Sequence, residues 1–217
     1  MLKLHYFDLY GRGEPIRMLL NYAKVDFEDC RYKFEEWPKL KAEGGFEFAQ
    51  MPVLEVKTGE TTKQYCQTLS ILRYLGRKYS LYPADIEDAW TVDSTLDAII
   101  DIINGLAKIH WEADEERKKK MAGELIGGAY PVFLKAMAAR LDASNARGGR
   151  FILDDKVNAA DILFACFIFN YIYNDLNPDS GAALKPAFEG YETLKKYSES
   201  LRAELGAYLE SRPKSGR

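Results

Sequence analysis

Leu2-Lys-Leu-His-Tyr-Phe-Asp-Leu-Tyr-Gly-Arg-Gly-Glu-Pro-Ile-Arg-Met-Leu-Leu-Asn-Tyr22 decides how the chain begins to fold. Leu2 to Phe7 reads as a strand, and Gly11-Arg12-Gly13 as a turn. Pro15 then falls in the first turn of a helix, the one place where a missing backbone N–H costs nothing. Within that helix Ile16, Leu19, Leu20 and Ala23 share one apolar stripe at spacings of three and four. Phe27 to Tyr32 reads as a second strand, which closes a βαβ unit.

Beyond it, Trp37 to Glu43 forms a short irregular helix ahead of Gly44 and Gly45. Val53 to Lys57 and Thr61 to Tyr65 flank Thr58-Gly59-Glu60 as the arms of a hairpin. A helix from Cys66 to Lys78 aligns Leu69, Leu72 and Leu75. The order β-α-β-α-β-β-α describes a small α/β domain with a mixed sheet over residues 1–79. After a linker around Tyr79 to Asp88 strand signals fade, and residues 80–217 read as an all-α domain. Helices are expected near 89–111, 113–142, 158–173, 191–210 and, briefly, 184–189, with Gly148-Gly149 and Asn177-Pro178 as breaks. Asn158 to Asp161 reads as a capping box with Val157 stapled against Ile162, a folding signal with no chemistry of its own.

The 217 residues are 47% hydrophobic and 13% aromatic, the profile of an ordered globular chain. A net charge of −3 recruits neither nucleic acid nor an anionic membrane, and the mixed cluster Glu112 to Lys120 reads as a solvated helix face. Ile162 to Tyr173 is too short to span a bilayer and reads as a buried helix. The start carries no signal-peptide pattern. Cys30, Cys66 and Cys166 are too scattered for a disulfide framework, and His5 and His110 lack neighbours at metal spacing. A cytoplasmic protein without a metal is expected.

Taken singly, Tyr6 is a packing tyrosine, Trp37 and Lys41 a helix edge, Gln67-Thr68 a polar first turn and Pro52 an edge-strand proline. Taken in order, His5-Tyr6-Phe7, Gly11 to Arg17, Glu36-Trp37-Pro38, Gln50 to Leu54, Gln67 to Leu75 and the Asn158–Asp161 cap resemble the cytosolic glutathione transferases over the whole chain. The likeness is to the tyrosine type, closest to the sigma class with mu- and pi-like features. It implies a thioredoxin-like domain at 1–79 that binds glutathione, followed by an all-helical domain at 80–217 that contributes the electrophile pocket and the dimer interface.

The resemblance also implies roles. Tyr6 and Arg12 are the catalytic pair: the Tyr6 hydroxyl donates a hydrogen bond to the thiolate of glutathione, and Arg12 tunes it. A thiol with a pKa of about 8.5 is mostly protonated at neutral pH, so such a donor has work to do. Trp37 and Lys41 hold the glycyl end. Gln50, Met51 and a cis Pro52 take the cysteinyl unit. Gln67 and Thr68 receive the γ-glutamyl carboxylate at a helix N-terminus. Asp101 matches the acid that reaches the partner's γ-glutamyl amine in family homodimers, or is an ordinary exposed aspartate on the face of Asp93 and Asp97. Phe48 stands where some classes place an aromatic interface key. Phe7, Tyr10, Gly11, Gly105, Lys108 and Ile109 are the candidates for the electrophile pocket.

The function this implies is conjugation of glutathione to electrophilic small molecules. Alternatives are a prostaglandin D-type isomerase on the same site, or a non-enzymatic carrier or crystallin-like relative. A cysteine-type thioltransferase is excluded, since no cysteine stands near the end of the first strand.

Overall fold

The computed structural model describes residues 1–216. They form two compact units, residues 1–82 with 205–216, and residues 83–204. The C-terminal segment therefore packs with the N-terminal unit, although it follows the helical part in sequence.

In the first unit β1 (Leu2–Phe7), β2 (Glu28–Tyr32), β3 (Val53–Thr58) and β4 (Thr61–Cys66) form a mixed sheet in the order β2-β1-β3-β4. β1 runs parallel to β2, with Leu4 opposite Asp29, and antiparallel to β3, with Leu4 opposite Leu54. The β3–β4 hairpin closes with Thr58 opposite Thr61. Leu2, Leu4 and Tyr6 alternate inward, as a strand with one buried face requires. The helices of this unit are α1 (Glu14–Tyr22), α2 (Trp37–Glu43) and α3 (Thr68–Lys78). The expected thioredoxin-like order is present.

Two details differ. α1 is buried from Glu14 to Leu20 and not along one stripe alone. Its charged residues are inside because they are paired, as described below. α3 opens two residues late, because Cys66 ends β4 and Gln67 turns through φ +69° before the helix can start.

The second unit holds α4 (Ile86–Trp111), α5 (Glu115–Glu124), α6 (Tyr130–Asn145), α7 (Ala159–Phe167), α8 (Pro178–Glu189) and the first turns of α9 (Glu192–Ser211). α4 begins three residues earlier than expected, because the Asp85 side chain accepts from the amides of Glu87 and Asp88. α5 and α6 are joined by a π-wound stretch, Leu125–Ala129. Pro131 follows in the first turn of α6, where it has no N–H to return to the preceding turn. The short helix expected at 184–189 runs from Pro178, since Asn177-Pro178 opens a helix and does not break one. The charged run carries the ion pairs Lys118–Glu115, Lys119–Glu116 and Arg117–Glu112, of which only Lys119–Glu116 is exposed on both sides.

The core of this unit is aromatic. Tyr130, Phe133, Phe164, Phe167 and Phe188 are all buried. Phe133 meets Phe164 edge-on at 5.7 Å, and Phe164 meets Phe188 at 6.5 Å. The capping box forms as read: Asn158 Oδ1 accepts from the Asp161 amide at 3.4 Å, and more closely from the Ala160 amide at 2.9 Å, and Asp161 Oδ2 accepts from the Asn158 amide at 2.9 Å. No helix of the described residues is long and apolar enough to cross a membrane.

Candidate functional site

β1 ends at Phe7 and carries Tyr6 inward, 7% exposed, beneath the turn that leads into α1. The turn approaches so closely that side chains are excluded. A Cβ on Gly11 would lie 2.6 Å from the Tyr6 hydroxyl, and one on Gly13 would lie 2.8 Å from Tyr6 Cβ and closer still to the ring. The Arg12 amide donates to the Tyr6 hydroxyl oxygen at 2.9 Å. A hydroxyl that accepts from an amide is polarised toward donating its own hydrogen. The Arg17 guanidinium stands 5.7 Å from the centre of the Tyr6 ring.

Beside this turn a small open cleft is lined by Arg12, Gln50, Met51, Pro52, Cys66, Gln67 and Thr68. Six of those seven residues are the ones expected at a glutathione site. The Met51-Pro52 bond is cis, and Met51 lies just ahead of the β3 ladder that starts at Val53. Gln67 Nε2 donates to Gln50 Oε1 at 3.5 Å. The Thr68 hydroxyl donates to the Arg12 carbonyl at 3.0 Å, so it ties the start of α3 to the Tyr6 turn. That commitment leaves the Thr68 backbone amide, one of those a helix N-terminus cannot use internally, as the group suited to an anion.

Trp37 and Lys41 lie outside the cleft lining, on α2. Trp37 is half-buried, edge-on to Phe7 at 5.8 Å and tilted against Phe46 at 5.9 Å, while Lys41 is exposed. Phe7 is taken up in the same aromatic group, stacked on Phe34 at 4.5 Å. Tyr10 is only 4% exposed, with the Arg212 guanidinium 4.0 Å over its ring. Little of its surface is therefore open. In the second unit, Gly105 on α4 accommodates the Leu125 methyls, Lys108 is exposed and Ile109 half-buried. Asp101 is exposed on α4, and Phe48 is 64% exposed with φ +60°.

A buried tyrosine polarised by an amide, next to a cleft built on a cis-proline strand and a helix N-terminus, is accompanied by likeness at the level of whole chains. Residues 2–77 match the glutathione S-transferase N-terminal domain and residues 100–212 the glutathione S-transferase C-terminal domain. Glutathione S-transferase 2 of Manduca sexta is 35% identical over 213 residues, 97% of this chain and 96% of that one. The chain belongs to the glutathione S-transferase family. Among solved structures, the glutathione S-transferase of Ascaris lumbricoides superposes with a TM-score of 0.82 at 28% identity, covering 100% of both chains. The prostaglandin synthase D of Nilaparvata lugens superposes with a TM-score of 0.80 at 29% identity, covering 98% of each. The protein is a glutathione transferase that uses glutathione as co-substrate.

Three features of this transferase were not read from its sequence as parts of the site. Cys66 lines the cleft, but burial and the nearby Glu47 push its thiol up, away from reactivity. The Arg12 backbone, and not only its side chain, serves Tyr6. Glu14 and Arg17, quoted within the turn motif, are buried and ion-paired directly behind Tyr6. Among the described residues no three metal-ligating side chains converge.

Proposed function

We propose that Tyr6 donates its hydroxyl hydrogen to the sulfur of bound glutathione, holding it as a thiolate that attacks electrophilic small molecules. The observation that carries this reading is the Arg12 amide bound to the Tyr6 oxygen, with Arg12 itself lining the cleft. The donated hydrogen bond favours the charged sulfur, and the N-terminal end of α1 adds a positive potential on the same side. The thiol proton leaves to solvent, the sulfur–carbon bond forms, and the electrophile's leaving group departs. Little more is asked of the protein than to hold two reactants together.

In this reading Arg12 supports the thiolate, Trp37 and Lys41 bind the glycyl end, Gln50, Met51 and Pro52 the cysteinyl unit, and Gln67 and Thr68 the γ-glutamyl carboxylate. Residues 1–79 bind glutathione and residues 80–217 serve the electrophile and the dimer. The protein acts as a cytoplasmic, sigma-like homodimer in detoxification, with Phe48, apolar and 64% exposed, as the interface key.

Tyr6→Phe is the direct test. A hydrogen bond to a charged group contributes about 1.5–3 kcal/mol. Turnover of a generic aryl halide should therefore fall roughly 10- to 150-fold in kcat/KM, and the bound thiol's pKa should rise by roughly one to two units. An unchanged thiol pKa in Tyr6→Phe sinks the mechanism.

Asp101→Ala addresses the dimer separately. If the carboxylate reaches the partner's site, glutathione KM should rise roughly tenfold with little change in kcat, the size of one charge-assisted contact. An unaltered KM makes Asp101 an ordinary surface acid.

The likeness to a prostaglandin synthase D supports a second reading, an isomerase using the same thiolate. Parallel assays with aryl halides and a prostaglandin endoperoxide separate the two. Glutathione binding without turnover of either substrate points to a carrier.

A further inference from the structure

Glu14 is an odd residue to find at the start of α1 if that end of the helix is to favour an anionic sulfur. It is fully buried, and a buried carboxylate persists only if it is paired. Two of its three partners come from the far end of the chain. Glu14 Oε1 accepts from the Tyr208 hydroxyl at 2.9 Å and from Arg212 Nη1 at 2.8 Å, while Oε2 lies 3.4 Å from Arg17 Nη1. The same Arg212 guanidinium lies 4.0 Å over the Tyr10 ring. The Glu14 amide in turn donates to the Tyr10 carbonyl at 2.9 Å. Between these two gripped residues lie Gly11, Arg12 and Gly13, the segment whose amide holds the Tyr6 oxygen.

We propose that Arg212 and Tyr208 are positioning residues for thiol activation. They clasp Tyr10 and Glu14, fixing the segment that holds Tyr6, and neutralise a carboxylate at the helix end that faces the reaction. The inference rests on the reading of Tyr6 as thiol activator.

The charges around Glu14 set the sign. Arg17 is shared with Asp29 at 2.9 Å, and Arg31 with Asp29 at 2.7 Å and Asp8 at 3.1 Å. Glu14, Asp29 and Asp8 are thus balanced by Arg17, Arg31 and Arg212. The Tyr208 hydroxyl is pushed far up by burial and by Glu14, so it remains a donor. Without Arg212, one net negative charge appears at the N-terminal end of α1, and the neutral thiol gains over the thiolate.

The experiment is the pH profile of kcat/KM for an aryl halide, with the thiolate followed by its ultraviolet absorbance. Arg212→Met should raise the governing pKa by roughly half a unit to one unit, which lowers kcat/KM roughly three- to tenfold below it. Arg212→Lys should keep the wild-type profile. Adding Glu14→Gln to Arg212→Met should bring the pKa back, which a packing role does not predict. A profile unmoved in Arg212→Met, or displaced but not restored by Glu14→Gln, overturns the proposal. If Arg212→Met does not fold, Tyr208→Phe decides: a smaller rise in the same direction supports the clasp, and none overturns it. Tyr6→Phe separates failures, because it shifts the thiol pKa when Tyr6 is the activator whether or not the clasp exists.

Discussion

Asp161→Ala is expected to destabilise the helical unit by about 3–5 kcal/mol while leaving the pKa of bound glutathione unchanged. The carboxylate is fully buried and accepts from the Ile152 amide at 3.0 Å, the Asn158 amide at 2.9 Å and the Tyr197 hydroxyl at 2.7 Å. Alanine strands all three donors in a dry interior, at about 1–3 kcal/mol each, and dissolves half of the capping box that starts α7. One effect runs the other way. Burial pushes the Asp161 carboxyl up, to about 7, so removing the charge relieves part of its desolvation. That relief keeps the expected total near the lower end of the sum. Unfolding in urea and by heat, at about pH 8 where the carboxyl is ionised, checks it. A fall in Tm of roughly 10 °C is the scale for a protein of this size. A loss of one or two degrees would mean that Asp161 is not the anchor of the unit.

The same residue shows where sequence reading works. Asn158 and Asp161 are three apart and act within one turn, so their pairing is legible from spacing alone, whereas Ile152 and Tyr197 come from elements that only folding brings in. β1, α1 and the β3–β4 hairpin were legible for the same local reason: alternation, a proline at a helix start and a glycine turn are all short-range. The errors arose where a short-range signal had two readings. Asn177-Pro178 both breaks and opens helices, and Asp85 fits a linker as well as the cap of α4 that it forms. At the site, ordered likeness to a family named Arg12, Gln50, Met51, Pro52, Gln67 and Thr68, and the fold brings these six to one cleft. It could not show that Arg12 serves Tyr6 through its backbone, nor that the Thr68 hydroxyl is spent on Arg12. Least visible was the burial of Glu14 and Arg17. Charges in a helix read as its wet face, and the partner that makes Glu14 tolerable inside is 198 residues away.

Gly13→Ala is expected to lower kcat/KM by roughly 100-fold or more, a larger effect than deleting the Tyr6 hydroxyl predicts at its lower bound. Backbone conformation alone forecasts no such thing. Gly13 sits at φ −84° and ψ −28°, an ordinary conformation for alanine, and the residue caps α1 without any side-chain hydrogen bond to lose. Sterics forecast the opposite outcome. The new methyl would lie 2.8 Å from Tyr6 Cβ and nearer to the ring, and a Cβ anchored in β1 cannot swing aside as a flexible side-chain end does. Either the ring or the turn must move. In both cases the Arg12 amide and the Tyr6 oxygen, now 2.9 Å apart, separate, and the hydroxyl loses the contact that polarises and orients it. Overpacking adds about 1–3 kcal/mol of instability. The kinetics should show a fall in kcat together with a raised thiol pKa, because the damage is to activation and not to binding. Glutathione KM should rise less than kcat falls, since among the residues proposed to hold the tripeptide only Thr68, through the Arg12 carbonyl, is tied to the turn. Wild-type turnover in Gly13→Ala would mean that the turn yields without disturbing Tyr6, and that the close fit of turn to ring has no part in the chemistry.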